Sequence, residues 1–223
     1  MRKAVSRFLG NPFVRFGSAA VLLLAFSFPA SAQSIGHANF SAGGGFTEPI
    51  YSTGSEVNTG WNVDFRGGVA IHHMFDADLD FSYADMGLTN SVLAQYGEPN
   101  GGVGIWSLTF NPVVHLAPRE AKVRPYITAG YGLYHMNFSV SHPTAVQTIF
   151  CYGFFGCYPA IVGANEVVAS NSTYRSGFNG GLGVDFPIAG GGVAFFAEAR
   201  YSQMFMSGVP DVKFIPVTFG IRF

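Results

Sequence analysis

Phe75-Asp76-Ala77-Asp78-Leu79-Asp80-Phe81-Ser82-Tyr83 alternates without a fault, with apolar side chains at the odd numbers and aspartates or serine at the even ones. Successive side chains of a strand point to opposite sides, so this stretch carries one apolar and one acidic face. Working outward, 61–71 places Trp61, Val63, Phe65, Val69 and Ile71 on one side and Asn62, Asp64 and Arg66 on the other. The same alternation recurs near 37–46, 103–116, 123–138, 174–186, 193–203 and 212–223, which makes eight strands with almost no helical periodicity. His72 and His73 fall in the turn that follows the second strand. As neighbours on an extended chain they are expected to point apart and form no metal pair.

The connections differ in length from one end to the other. Short ones fall near 72–74, 117–122 and 187–192; long loops are expected near 47–60, 87–102 and 139–173, with a shorter one near 204–211. Strands joined alternately by tight turns and long loops predict an all-β, antiparallel up-and-down barrel. In membrane barrels of this type the turns are periplasmic and the loops external.

Composition decides the surroundings. Only 11% of the 223 residues are charged, where about a quarter is usual, and 29 are glycine. Disorder is excluded by the 48% hydrophobic content. Nucleic-acid binding is excluded by a net charge of −1 and a pI of about 6.6. A mean hydropathy of +0.27 suggests a membrane, yet the apolar run 16–28 is shorter than the ~20 residues a spanning helix needs. Strands must do the crossing.

Two arrangements fit the stripes: a soluble sandwich with its apolar faces inward, or a membrane barrel with its polar faces inward. The polar parity holds Asp64, Arg66, Asp76, Asp78, Asp80, Arg124, Arg175, Asp185, Glu198, Arg200 and Arg222, and no charge interrupts an apolar stripe. Lipid contact demands this, since Lys or Arg at the midplane costs about 2–4 kcal/mol. The polar parity also carries Gly43, Gly45, Gly68, Gly130, Gly132, Gly181, Gly183 and Gly220, with few lysines. Small residues among opposite charges suit the cramped interior of an eight-stranded barrel rather than a soluble surface. The reading is a transmembrane barrel.

Arg2, Lys3, Arg7 and Arg15 precede the apolar run, and Ala30-Ser31-Ala32 follows it. This is the pattern of a cleaved export signal over 1–32, with Ala30 and Ala32 at the cleavage site and 33–223 as the barrel domain. An uncleaved anchor helix is the alternative. Cleavage removes four of the twelve bases and none of the thirteen acids, leaving a net charge of −5.

The C-terminal strand places apolar residues at 215, 217, 219, 221 and 223 and ends on Phe223. It resembles the terminal-aromatic signal of bacterial outer-membrane proteins, in which Phe219, Ile221 and Phe223 would be read by the barrel-assembly machinery. Arg124-Pro125-Tyr126-Ile127-Thr128-Ala129-Gly130-Tyr131-Gly132-Leu133-Tyr134 resembles the fifth strand of the OmpA-like and opacity-type eight-stranded barrels. The resemblance covers 33–223 and implies the bacterial outer membrane, with membrane lipid and the assembly machinery as partners. The peptidoglycan-binding domain of larger relatives has no counterpart here, so a cell-wall tether is not implied.

Cys151 and Cys157 lie in the longest connection; in an exported chain they are expected to pair as a disulfide. Around them Phe150, Tyr152, Phe154, Phe155 and Tyr158 either form an exposed contact patch or rest over the barrel mouth or the headgroups. Asp76, Asp78 and Asp80 share one face with Asp64 and Glu198. They either make a cation-attracting lumen or pair with Arg66, Arg124, Arg200 and Arg222, as buried charges require. His135, followed by Ser139 and Ser141, lies on the apolar parity near one end of its strand, with no nucleophile motif around it. No metal, cofactor or catalytic signature is present, and an enzyme is not expected. The reading is a structural or adhesive surface barrel whose loops meet an external ligand or surface; the alternatives are a narrow pore for small solutes and, more remotely, a lipid-modifying enzyme.

Overall fold

A computed structural model of the chain describes residues 38–118, 121–153, 156–188 and 192–223. The export signal over 1–32, with Ala30 and Ala32, lies outside the described residues. Eight strands run β1 (Ala38–Pro49), β2 (Gly60–His72), β3 (Phe75–Gly87), β4 (Asn100–His115), β5 (Arg124–Tyr152), β6 (Gly156–Pro187), β7 (Ala194–Met204) and β8 (Val212–Arg222). Each pairs antiparallel with its sequence neighbour, and β1 pairs with β8 from Ser41↔Arg222 to Pro49↔Phe214, so the sheet is a closed barrel. Closure removes the sheet edge, the one arrangement of strands that leaves no wall backbone unpaired in hydrocarbon.

The alternation sets the two sides of the wall. Phe40, Phe65, Leu79, Phe110, Tyr131, Leu182, Phe195 and Phe219, one on each strand in turn, face outward and are more than half exposed. The opposite parity faces inward and is buried: Asp64 and Arg66 on β2, Asp78 and Asp80 on β3, Thr109 and Asn111 on β4, Glu198 and Arg200 on β7. Inward glycines make room for rings. A Cβ on Gly43 would stand 2.9 Å from the Phe196 ring, and one on Gly220 would stand 2.6 Å from it.

Two expectations fail at the end that carries the long connections. Segments 47–60 and 87–102 are not plain loops, since they hold short helices α1 (Ser52–Glu56) and α2 (Asn90–Tyr96). Five and seven residues are too few to display a helical period. The boundary chemistry of α2 is nonetheless visible: Thr89 stands at its N-cap and Gly97 closes it at φ +69°.

The larger correction concerns 139–173, which is a strand pair rather than a loop. β4 accompanies β5 only as far as Asn100↔Ser141, and β7 meets β6 only from Gly177 onward. Beyond Ser141 the two long strands pair, among the described residues, with each other alone, out to Tyr152↔Gly156. At ~3.3 Å per residue this two-stranded ribbon extends ~36 Å past the ring. The register slips between Val140 and Ser141, leaving Val168 as an extra residue in β6 where the ribbon departs; such a bulge bends and twists a strand.

Candidate functional site

The lumen is filled from side chains upward. Arg66 grips Glu198 with both terminal nitrogens (Nη1–Oε2 2.7 Å, Nη2–Oε1 2.9 Å) and gives its Nε to Asp64 at 2.6 Å. Arg200 reaches Asp80 through Nη1 at 2.7 Å and Glu198 through Nη2 at 2.6 Å. The Tyr126 hydroxyl donates to Glu198 at 2.8 Å, and the Arg66 guanidinium lies 5.0 Å from the Phe196 ring centre. Five charges from β2, β3 and β7 thus form one buried network. Buried charges are held by pairing of this kind. The space left among Arg66, Glu198, Arg200 and Tyr134 is about 20 Å³. A single water needs ~10–15 Å³, so the plug has room for about one.

Asp76, Arg124, Asp185 and Arg222 sit closer to the short-turn end and pair differently from the arginine scheme read from sequence. Asp76 bonds His115 at 2.8 Å rather than an arginine, and Arg222 bonds Asp185 at 2.8 Å. Arg124 stands opposite Asp185 in the register. Together with Asp76, these three line a cavity of about 500 Å³. Asp78 is buried on the same strand face. His115, Asp185 and Tyr126 were not singled out as members of a charge network. His115 lies at the end of its strand, where parity is hardest to read.

At the tip of the ribbon Cys151 and Cys157 face each other in the register and are joined by a disulfide. Gly156, at φ +82°, follows the turn in a conformation that other residues rarely adopt. Tyr158 is 52% exposed. Phe150 and Tyr152 stand in β5 opposite Tyr158 and Gly156, whereas Phe154 and Phe155 lie outside the described residues. On the ribbon Ile149, Ile161 and Val167 are more than half exposed. Its base is tied to the neighbouring connection by His142 Nδ1 and Glu98 Oε2, 2.8 Å apart.

On the outer wall the rings of Trp106, His135 and Tyr174 cluster, with His135 4.3 Å from Tyr174 and 5.4 Å from Trp106. Trp61 and Tyr83 form a similar pair at 5.5 Å. Phe219, Ile221 and Phe223 lie along β8 and its end; Phe219 and Phe223 are more than half exposed. His72 and His73 occupy the end of β2 and the turn after it, as read. Their rings do not diverge but sit 3.7 Å apart, because the turn abandons the strand alternation. Among the described residues no cluster of three or more metal-ligating side chains occurs.

The family model for the outer membrane protein beta-barrel domain matches residues 18–223. Among solved structures, Neisserial surface protein A aligns over 83% of this chain and 95% of its own, at 17% identity and a TM-score of 0.56. Ail, the attachment invasion locus protein of Yersinia pestis, aligns over 85% and 100%, at 20% identity and a TM-score of 0.45. OprG of Pseudomonas aeruginosa aligns over 86% and 98%, at 11% and 0.45. No curated protein sequence matches the chain. At these identities the likeness is one of fold.

Proposed function

The chain belongs to the outer membrane protein beta-barrel family of bacterial outer-membrane proteins, and we infer that its barrel is a plugged anchor presenting the β5–β6 ribbon to the outside. In this reading the short turns face the periplasm, the outward apolar band meets lipid, and Phe219, Ile221 and Phe223 are read by the assembly machinery during insertion. One observation carries the proposal: a disulfide-tipped strand pair extends beyond the ring with both edges unpaired among the described residues. Unpaired edges and exposed aliphatic side chains are contact surfaces in search of a partner. From Ser141 to Ser170 the only Asp, Glu, Lys or Arg is Glu166, so a polyanionic partner has no cation there to grip. The partner is an apolar or neutral surface.

The alternative, a narrow pore, has in its favour the cavities on either side of the plug, and against it the ~20 Å³ left within. Catalysis is not part of the reading. His135 is engaged with Trp106 and Tyr174 on the outer wall, where a general base would have no polar substrate to meet.

To test it, 143–165 would be replaced by Asn-Gly, joining His142 to Glu166, which are opposed in the register. A Gram-negative host displaying either form at equal level would be applied to an epithelial monolayer. The intact form is expected to adhere and the trimmed form to fall to the level of the host alone. Equal adherence of the two would overturn the reading.

A further inference from the structure

The inner wall changes character near the loop end. Below it the lumen is charged; above it Met86, Val103, Ile105, Tyr134, Met204 and Phe214 make a buried apolar cluster. Met86 and Val103 of this cluster line a second cavity, of about 550 Å³. Val57, Leu88, Met136 and Phe138 line its sides, and α1 and α2 contribute Thr53 and Tyr96 over it. Binding sites for small molecules typically span ~300–1,000 Å³ and are mostly apolar with a few polar groups at the edge. Methionine side chains adapt to irregular apolar shapes, and three of them, Met86, Met136 and Met206, border this one.

The rim gives the choice of ligand. The Asp, Glu, Lys or Arg side chains that line it among the described residues are Glu56 and Asp211, both acidic. The Lys213 ammonium lies 5.3 Å from the Tyr51 ring centre, and its charge also acts on Asp211. Asp211 accepts hydrogen bonds from the Met206 backbone N–H at 2.8 Å and the Gln203 amide at 2.6 Å. Those bonds, the backbone one foremost, hold its carboxyl below the usual carboxylate range and keep it ionised. Two carboxylates above an apolar chamber favour a positive head and disfavour a fatty acid, whose own carboxylate would face both.

We propose that this chamber at the loop end is a binding site for one small cationic amphiphile, its chain among Met86, Leu88 and Met136 and its head between Glu56 and Asp211. The proposal does not rest on the ribbon's role in adhesion.

The test uses the full barrel in phospholipid nanodiscs with methyl-¹³C methionine. Octyltrimethylammonium and octanoate serve as probes of equal chain length. Met74, in the turn at the opposite end, reports any general effect of the probes on the membrane. The ammonium probe is expected to shift the Met86, Met136 and Met206 methyl signals saturably, leave Met74 in place, and act at a several-fold lower concentration than octanoate. Glu56→Gln should narrow that preference. Leu88→Trp should abolish the shifts while the protein still migrates faster unboiled than boiled, showing the barrel intact. Shifts that never saturate, that include Met74, or that octanoate produces equally well would overturn the proposal.

Discussion

Replacing Arg66 by methionine removes the centre of the lumen plug while keeping most of the side-chain volume. The side chain is 2% exposed and makes three short hydrogen bonds, two to Glu198 and one to Asp64. Its loss leaves Asp64, Asp80 and Glu198 facing Arg200 alone, so the network's formal charge moves from −1 to −2. The burden is uneven. Glu198 keeps Arg200 at 2.6 Å and Tyr126 at 2.8 Å, and Asp80 keeps Arg200 at 2.7 Å. Asp64 loses its 2.6 Å ion pair with Arg66. Breaking a buried pair by removing one partner costs about 3–5 kcal/mol, mostly as the uncompensated charge left behind. Equilibrium urea unfolding in lipid vesicles, followed by the fluorescence of Trp61 and Trp106 on the outer wall, should show a loss of that size. Adding Asp64→Asn removes the stranded charge and should restore about 1–3 kcal/mol, the usual coupling between contacting groups. A loss under about 1 kcal/mol for Arg66→Met, or no recovery in the double variant, would refute the argument that the plug is a closed network of paired charges.

Two further outcomes follow from the same geometry. Cys151→Ser with Cys157→Ser opens a loop of sequence separation 6, worth about 2 kcal/mol by loop-closure entropy. The loss should stay local: hydrogen exchange and protease nicking rise in the ribbon while the unfolding midpoint of the barrel holds. In planar bilayers the wild-type barrel should show no steady ion current, and Asp78→Asn should not create one. A steady, cation-selective current that Asp78→Asn alters would instead favour the pore.

What was legible in the sequence depended on whether a segment has a buried face. β3 announces itself because Asp76, Asp78 and Asp80 are inside while Leu79 and Phe81 are outside. The ribbon has no inside, so β5 and β6 beyond Ser141 show β-branched content without alternation, and Pro143 and Pro159 read as breaks. A strand paired on only one side tolerates proline where its other edge is free. The apolar mouth was hidden for the opposite reason. Near it both parities are apolar, as with Ile105 inside and Leu108 outside on β4, so no stripe marks the change. Alternation also reports a face and not a neighbour. Arg66 and Glu198 are 132 residues apart, and only the register around the closed ring brings them together.

The central claim is that the eight-stranded ring sits in lipid while the ribbon stands outside it. Leu182 on the wall and Ile161 on the ribbon are 68% and 71% exposed. Leu182→Arg and Ile161→Arg would be compared by urea unfolding in vesicles. The account predicts a loss of about 2–4 kcal/mol for the first, as for arginine at the bilayer midplane, and about 0–1 kcal/mol for the second. Equal effects, or a greater loss at Ile161, would contradict it.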